Sequence, residues 1–141
     1  MAVERITLME FYLLESLSQA KLSDAEIIDG LAHKAYDQWK EIAPHFDYAQ
    51  LYDLYEADQE AFQRILNGQY QIKFLTFPGL QRLLEMKFDK IADFDFDVKE
   101  NGIFRLQLRS DEEEKLRQII SSNWHVEADV DGSLSVTLKA V

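Results

Sequence analysis

Three carboxylates alternate with aromatic residues in one short segment, and they are the residues of this sequence best suited to chemistry. Asp93, Asp95 and Asp97 are separated by Phe94 and Phe96. Because successive side chains of a β-strand point to opposite faces, an extended segment places the three carboxylates on one face, with neighbours about 7 Å apart. Such a row is able to bind Mg²⁺ or Ca²⁺, or to supply a general acid and a general base.

His125 and Glu127 form a second pair of ligand-type side chains, again at strand spacing. If this segment and the aspartate segment share one sheet face, His125 or Glu127 joins the aspartates in a metal-assisted or acid–base site. The sequence nevertheless has no Asp-x-Asx-x-Asx-Gly calcium loop and no His-x3-His spacing. These five residues are therefore metal candidates without a recognised motif, and we predict no bound metal.

The expected pairing of the first hairpin accounts for most of the aspartates without a ligand. A two-residue turn at Asn101–Gly102 would put the apolar rows of its strands on opposite faces. A three-residue loop that ends in this glycine, with a left-handed backbone, aligns the rows and places Asp97 opposite Arg105 and Asp93 opposite Arg109. Opposite charges across strands stabilise a sheet by roughly 0.2–1 kcal/mol each. We expect a solvated sheet face.

The composition removes several classes of enzyme. The chain has no cysteine, which excludes disulfides, thiol catalysis and Cys-ligated metals. Among only five glycines there is no Gly-x-Ser-x-Gly elbow and no Gly-x4-Gly-Lys phosphate loop. The sequence therefore favours a non-catalytic protein without a cofactor over an enzyme, although a site assembled from distant residues would leave no spacing to read.

The net charge of −11 opposes direct binding to nucleic acids, whose phosphates are recognised mainly by Lys and Arg. Residues 1–68 carry 13 acidic and 5 basic side chains, whereas residues 69–141 carry 13 and 10. The first twenty residues lack a basic leader, and no apolar run approaches the roughly 20 residues that a membrane helix needs. We expect a cytoplasmic protein whose N-terminal half carries most of the negative field.

Hydrophobic periodicity predicts three helices in residues 1–68, at about residues 4–18, 23–42 and 47–66. The second helix begins with a capping box, Ser23 with Glu26, and the third ends at Asn67–Gly68. The apolar face of the first helix is broad, so it also offers a surface for a homo-oligomer.

Residues 69–141 change to the period of strands, with the order β-α-β-β-α-β-β. The predicted fold class is α+β: a three-helix region, 1–68, followed by an antiparallel sheet region, 69–141, packed as one compact unit. Two topologies fit the second region. One is a ferredoxin-like sheet, and the other is an αββ duplication, since the two hairpins align at an offset of thirty residues. A three-residue loop ending at Gly132 places Glu127 opposite Ser135 and His125 opposite Thr137.

The most acidic stretch lies between Lys40 and Arg64, which contains no basic residue. On one continuous helix, Asp53, Glu56 and Glu60 share a face, at i, i+3 and i+7. An aromatic row of three tyrosines lies nearby: Tyr48, Tyr52 and Tyr55. This pattern suits a docking face for a basic protein, with the tyrosines as anchors and the acids setting specificity and association rate.

Three hypotheses follow. The leading one is a non-catalytic intracellular binding or regulatory module, such as an adaptor, an inhibitor or an immunity-type protein, whose acidic helical surface engages a basic partner. The second is a DNA mimic that inhibits a nucleic-acid-binding protein, which requires acids paired at phosphate-like spacing. The third is a metal-assisted or acid–base enzyme that uses the strand carboxylates.

Overall fold

The structure is a computed structural model that describes residues 3–139, and the chain divides into two compact units, the first ending at Tyr70 and the second beginning at Gln71. Helices dominate the first unit, and an antiparallel four-stranded sheet lies in the second. The α+β prediction is confirmed. None of the helices within residues 3–139 combines the length and apolar character needed to cross a bilayer.

The first unit consists mainly of short helices. In chain order its elements are β1 (Glu4–Ile6), α1 (Leu8–Gln19), α2 (Asp24–Ala32), a 3₁₀ helix (Tyr36–Glu41), α3 (Ala49–Ala57) and α4 (Gln59–Leu66), followed by β2 (Tyr70–Ile72) at the unit boundary. The predicted capping box of α2 is present, since the Ser23 amide donates to Glu26 Oε1 over 3.0 Å and the Glu26 amide to Ser23 Oγ over 3.2 Å. A second box, Thr7 with Glu10, starts α1.

The second predicted helix is wrong beyond Ala32. Lys34 has a left-handed backbone, with a φ of 53°, and the chain reverses there into the 3₁₀ helix. This reversal brings Trp39 against Gly30, where a Cβ atom would lie 2.6 Å from Trp39 Cζ2. The glycine that weakens α2 is therefore the residue that admits the indole.

The third predicted helix is two helices. Asp58 is extended, with φ −164° and ψ 102°, and its Oδ1 accepts a hydrogen bond from the Ala61 amide over 3.0 Å. Asp58 is thus the N-cap of α4. The predicted end is confirmed, because α4 stops at Leu66 and Gly68 has a φ of 87°.

The core of the first unit is rich in aromatic residues. Trp39 packs edge-on against Tyr48, with ring centroids 5.6 Å apart, and Tyr55 packs edge-on against Phe62 at the same distance. The buried side chains of this cluster are Leu13, Leu17, Ile27, Leu31, Trp39, Ala43, Phe46, Tyr48, Leu51, Tyr55 and Phe62. Burial of this apolar surface holds helices together that are individually too short to be stable.

The second unit contains two helices and two hairpins. Its elements are α5 (Phe77–Phe88), β3 (Asp97–Lys99), β4 (Gly102–Leu106), α6 (Ser110–Ile119), β5 (Trp124–Ala128) and β6 (Leu134–Leu138). The sheet order is β3-β4-β6-β5, so the two hairpins form one sheet. Since β2 does not join this sheet, the ferredoxin-like alternative is wrong. The order α5-β3-β4 followed by α6-β5-β6 agrees with the αββ alternative.

The predicted register of the first hairpin is wrong by one residue. Lys99 pairs with Gly102 and Val98 with Ile103, so the turn contains two residues, Glu100 and Asn101. Gly102 lies within β4, where an added Cβ would meet the Val136 carbonyl oxygen at 2.5 Å. The glycine therefore serves the close approach of two strands.

A β-bulge distorts β4. Ile103 pairs with Val136, but Leu106 pairs with Leu134, which leaves one extra residue on β4. Ile103 and Leu106 are both fully buried although they are an odd number of residues apart. A regular strand would point them to opposite faces, and the extra residue turns both inward.

The register of the second hairpin is confirmed. Glu127 pairs with Ser135 and His125 with Thr137. Gly132 has a φ of 88° and ends the loop. The Asp129 amide donates to the Ser133 carbonyl over 2.8 Å, which closes a three-residue loop.

Helix α6 begins with a capping interaction at Arg109, one residue before the Ser110–Glu113 pair that has the spacing of a capping box. The Arg109 amide donates to Glu112 Oε1 over 3.0 Å. Glu113 instead lies 2.9 Å from the Arg117 guanidinium one turn further along α6. The guanidinium of Arg109 lies beside Asp111 and Glu112, so the predicted pairing of Asp93 with Arg109 is also wrong.

Candidate functional site

The aspartate segment is a turn followed by a short strand. Asp93 has a φ of 68°, and its amide donates to the Phe96 carbonyl over 2.8 Å. The Asp95 carboxylate accepts a hydrogen bond from the Ile91 amide over 2.8 Å. Phe94 is consequently turned out and is 88% exposed, whereas Phe96 is 2% exposed. Asp93 and Asp95 do not form the predicted strand row with Asp97.

The three aspartates nevertheless line one cleft of about 490 Å³ in the second unit. Arg105 also lines this cleft, with its Nε 2.7 Å from Asp97 Oδ2. Asp131 also lines the cleft, and its Oδ1 accepts hydrogen bonds from the Ser133 amide over 3.0 Å and the Ser133 hydroxyl over 2.6 Å. These hydrogen bonds from Ser133 hold the pKa of Asp131 below its usual value. Asp95, Asp97 and Asp131 thus have partners within the protein.

A metal site does not form from these groups. Within residues 3–139, no three His, Asp or Glu side chains are arranged to hold a metal ion. His125 Nε2 lies 3.6 Å from Glu127 Oε2, but both are on β5, at the opposite edge of the sheet from β3. Three strand spacings separate these edges, about 14 Å. That distance exceeds the roughly 5–9.5 Å that separates the two catalytic carboxyl groups of glycosidases, so the pair on β5 and the carboxylate on β3 are not placed to act on one bond in that way.

The predicted tyrosine row is mainly core. Tyr48 is buried and its hydroxyl lies 2.7 Å from Ser16 Oγ, while Tyr55 is buried against Phe62. Tyr52 is half-buried; Lys34 Nζ lies 5.2 Å from its ring centroid, and its hydroxyl donates to Glu56 Oε1 over 3.3 Å. Of the three predicted anchors, Tyr52 alone is available at the surface.

The predicted acidic residues are all exposed, but they do not share one helical face. Asp53 and Glu56 lie on α3, and Glu60 lies in the first turn of α4, beyond the break at Asp58. Within the described part of the chain, neither Asp53 nor Glu60 has a hydrogen bond or an ion pair through its carboxylate. Glu41 likewise has no ion pair there. We call these exposed carboxylates, Glu41, Asp53, Glu56 and Glu60, the acidic surface; the ammonium of Lys34, over the ring of Tyr52, is a cation beside it.

Several carboxylates of the second unit lie against an arginine. Arg105 lies against Asp97, Arg109 against Asp111 and Glu112, and Arg117 against Glu113. The nearest guanidinium to the acidic surface in sequence, that of Arg64, instead pairs with Glu4 over 3.3 Å. Exposed carboxylates without an ion pair among the described residues also occur in the second unit, for example Glu100 and Glu114. The asymmetry lies in the number of cations, since residues 1–68 carry 5 basic side chains for 13 acidic ones and residues 69–141 carry 10 for 13.

A groove in the first unit was not predicted from the sequence. This open groove, with a volume of about 540 Å³, is lined by residues of α2 and the 3₁₀ helix, and its apolar lining includes Leu22, Trp39 and Ile42. Carboxylates of Glu26, Asp29 and Glu41 border it. A continuous helix over residues 23–42 has no such groove, so the reversal at Lys34 creates it. The left-handed position is occupied by Lys34 rather than by glycine or asparagine, which usually mark such a position, so the sequence did not indicate the reversal.

Comparison of the chain with protein-family models, with curated proteins and with solved structures gave no significant match.

Proposed function

We propose that this protein is a non-catalytic, cytoplasmic protein-binding module, of adaptor, inhibitor or immunity type, whose acidic surface engages a basic partner. The observation that carries the proposal is the lack of ion-pair partners for the exposed residues Glu41, Asp53 and Glu60 within residues 3–139, in the half of the chain that has 13 acidic and only 5 basic side chains. Uncompensated like charges repel one another and oppose folding slightly. Their retention on one surface suits a role in attracting an opposite charge.

The chemistry of such a surface is electrostatic steering. Exposed carboxylates raise the rate of encounter with a basic protein and reject acidic competitors. Tyr52, half-buried beside Glu56, adds an amphipathic contact of the kind that anchors interfaces. Three residues, Asp53, Glu56 and Glu60, therefore provide charge and Tyr52 provides an anchor.

Affinity capture from the native cell with the full chain as bait tests this proposal. The test bait carries Asp53→Lys, Glu56→Lys and Glu60→Lys, and the matched control carries Glu85→Lys, Glu100→Lys and Glu114→Lys, which are exposed residues of the second unit. We expect a basic protein whose recovery falls more than about tenfold with the test bait. The control has the same net charge and retains the partner.

Equal recovery by both triple variants would reject the acidic surface as the binding site. Circular dichroism of both variants establishes that they are folded.

Adding duplex DNA to the capture experiment tests the DNA-mimic hypothesis, since a partner that binds this protein through its nucleic-acid site is displaced by DNA. The predicted homo-oligomer through α1 is tested on the same samples by measuring the molar mass of the protein in solution.

A further inference from the structure

The groove between α2 and the 3₁₀ helix combines an apolar floor with a negative border. Trp39 is 7% exposed and forms the floor over Gly30, and Ile42, 36% exposed, lines one wall. Leu22 and Ala35 are half-buried within it. A cavity of about 540 Å³ is within the range of 300–1,000 Å³ typical of ligand pockets and holds one or two large apolar side chains.

The carboxylates at the border of the groove favour a ligand that carries positive charge. Glu26, Asp29 and Glu41 line the groove, and no lysine, arginine or histidine of residues 3–139 does. Asp29 interacts with His33, whose Nδ1 lies 3.2 Å from its carboxylate, and Glu26 accepts a hydrogen bond from the Ser23 amide. Glu41 has no ion-pair partner in the described part of the chain. An apolar side chain flanked by cations complements this arrangement, whereas a neutral or acidic ligand leaves the carboxylates without counter-charge.

We infer that this groove binds a basic, amphipathic segment of a partner protein, with an apolar side chain over Trp39 and flanking Lys or Arg beside Glu41. The inference rests on the proposed function and names the anchor point of the same basic partner. Helix-in-groove recognition of this kind combines apolar anchors at i, i+3 or i+4 with charges that set orientation. The groove is preformed, because the contact of Gly30 with Trp39 fixes its floor.

The test is a titration followed by NMR of the ¹⁵N-labelled full chain. The probe is a synthetic peptide of about four helical turns, roughly 14 residues, with Leu at helical spacing and Lys elsewhere. One comparison peptide replaces Leu with Ser and keeps the lysines, and another replaces Lys with Glu. We expect the Lys/Leu peptide to shift the Gly30 and Ile42 amides and the Trp39 indole N–H, and the other two to leave them within about a tenth of that shift.

Two groove variants and one control refine the result. Glu41→Lys reverses a border charge, and Ile42→Ser removes a wall. Each is expected to raise the Kd of the Lys/Leu peptide about tenfold, which corresponds to losing one charge or apolar contact. Glu114→Lys changes net charge equally in the second unit. Because Glu114 does not line the groove, we expect this control to leave the Kd within about twofold at about 0.15 M salt.

Several outcomes would overturn the inference. Equal shifts of groove resonances by the Lys/Ser peptide would show that no apolar anchor enters. Shifts that depend on protein concentration without peptide would assign the groove to a second copy of the chain. Chemical-shift changes confined to the amides of Asp53 and Glu60 would reject the groove as the binding site and would agree with binding at the proposed acidic surface. No shift at millimolar peptide would reject the groove, and the capture experiment would still decide the proposed function independently.

Discussion

Arg105 reaches the Asp97 carboxylate from a left-handed backbone position. Its Nη2 donates to Asp97 Oδ1 over 3.3 Å and its Nε lies 2.7 Å from Oδ2, while its φ is 60°. The β-bulge, rather than the strand register, creates this contact, because Asp97 pairs with Phe104 across the hairpin. The bulge thus turns two buried side chains inward and one arginine toward an acid.

Because the bulge gives Arg105 a left-handed backbone, glycine at this position should give a more stable protein than alanine. Arg105→Ala loses an exposed ion pair, worth up to about 1 kcal/mol, and keeps a side chain at positive φ. Arg105→Gly loses the same pair but relieves backbone strain. We expect the glycine variant to exceed the alanine variant by about 1 kcal/mol in the free energy of unfolding. Urea denaturation measures both. An alanine variant as stable as the glycine variant would contradict a left-handed Arg105.

Phe94 and Phe96 have opposite environments. Phe94→Ala should change the free energy of unfolding by less than about 0.5 kcal/mol, because its ring is 88% exposed. Phe96→Ala should cost about 3–5 kcal/mol, because its ring is buried. Chemical denaturation of the two variants makes the comparison. Similar losses for both would mean that residues 93–97 form the regular strand that alternation predicts.

Gly30→Ala should destabilise the protein although it improves helix propensity. Alanine in an exposed helix interior gains about 1 kcal/mol over glycine. Here its Cβ would lie 2.6 Å from Trp39, and overpacking typically costs about 1–3 kcal/mol. In a Trp39→Leu background the same change should become neutral or stabilising. Denaturation curves of the four proteins give the coupling, and a loss independent of residue 39 would count against the contact.

Asp58 should behave as a helix cap. Asp58→Ala removes the acceptor of the Ala61 amide and is expected to cost about 1 kcal/mol, while Asp58→Asn retains most of the stability. Asp53→Ala is the control, since this exposed carboxylate has no partner in the described residues and should change stability by less than about 0.5 kcal/mol. Urea titration distinguishes them. Equal effects of both alanine substitutions would favour one unbroken helix.

Tyr48 should make the protein sensitive to alkali. Burial raises the pKa of its phenol, only partly offset by the Ser16 hydrogen bond. The folded-state pKa therefore exceeds the unfolded value of about 10. The stability that this group contributes is complete below pH 10 and is lost as the pH rises through the folded pKa.

The difference in unfolding free energy between wild type and Tyr48→Phe should accordingly shrink from pH 9 to pH 11. Denaturation at several pH values measures it. Ser16→Ala, which removes the hydroxyl partner and keeps the phenol, retains the alkaline decline. A difference that stays constant over this range would show that Tyr48 ionises alike in both states.

Local sequence signals predicted the features that depend on neighbouring residues. The Ser23–Glu26 box appears because both of its hydrogen bonds close within one turn. The second hairpin has the predicted register because a left-handed Gly132 and the alternation of its strands favour the same pairing. Element order and fold class follow from such signals.

The tertiary structure decided what distant contacts control. The bulge in β4 depends on pairing with β6, more than thirty positions beyond Ile103. Tyr48 and Tyr55 became core residues because the breaks at Lys34 and Asp58 fold the helices back over them, and no glycine or proline marks either break. Periodicity identifies residues able to be buried, but only packing selects which of them are covered.

The candidate site divides in the same way. The excess of acids between Glu41 and Glu60 was evident from the sequence, since charge is a property of composition. The position of the chain reversal determines which carboxylates lack a counter-ion. It also opens the groove over Trp39. Ion pairs and cavities join residues that are remote in sequence, so the tertiary fold alone determines them.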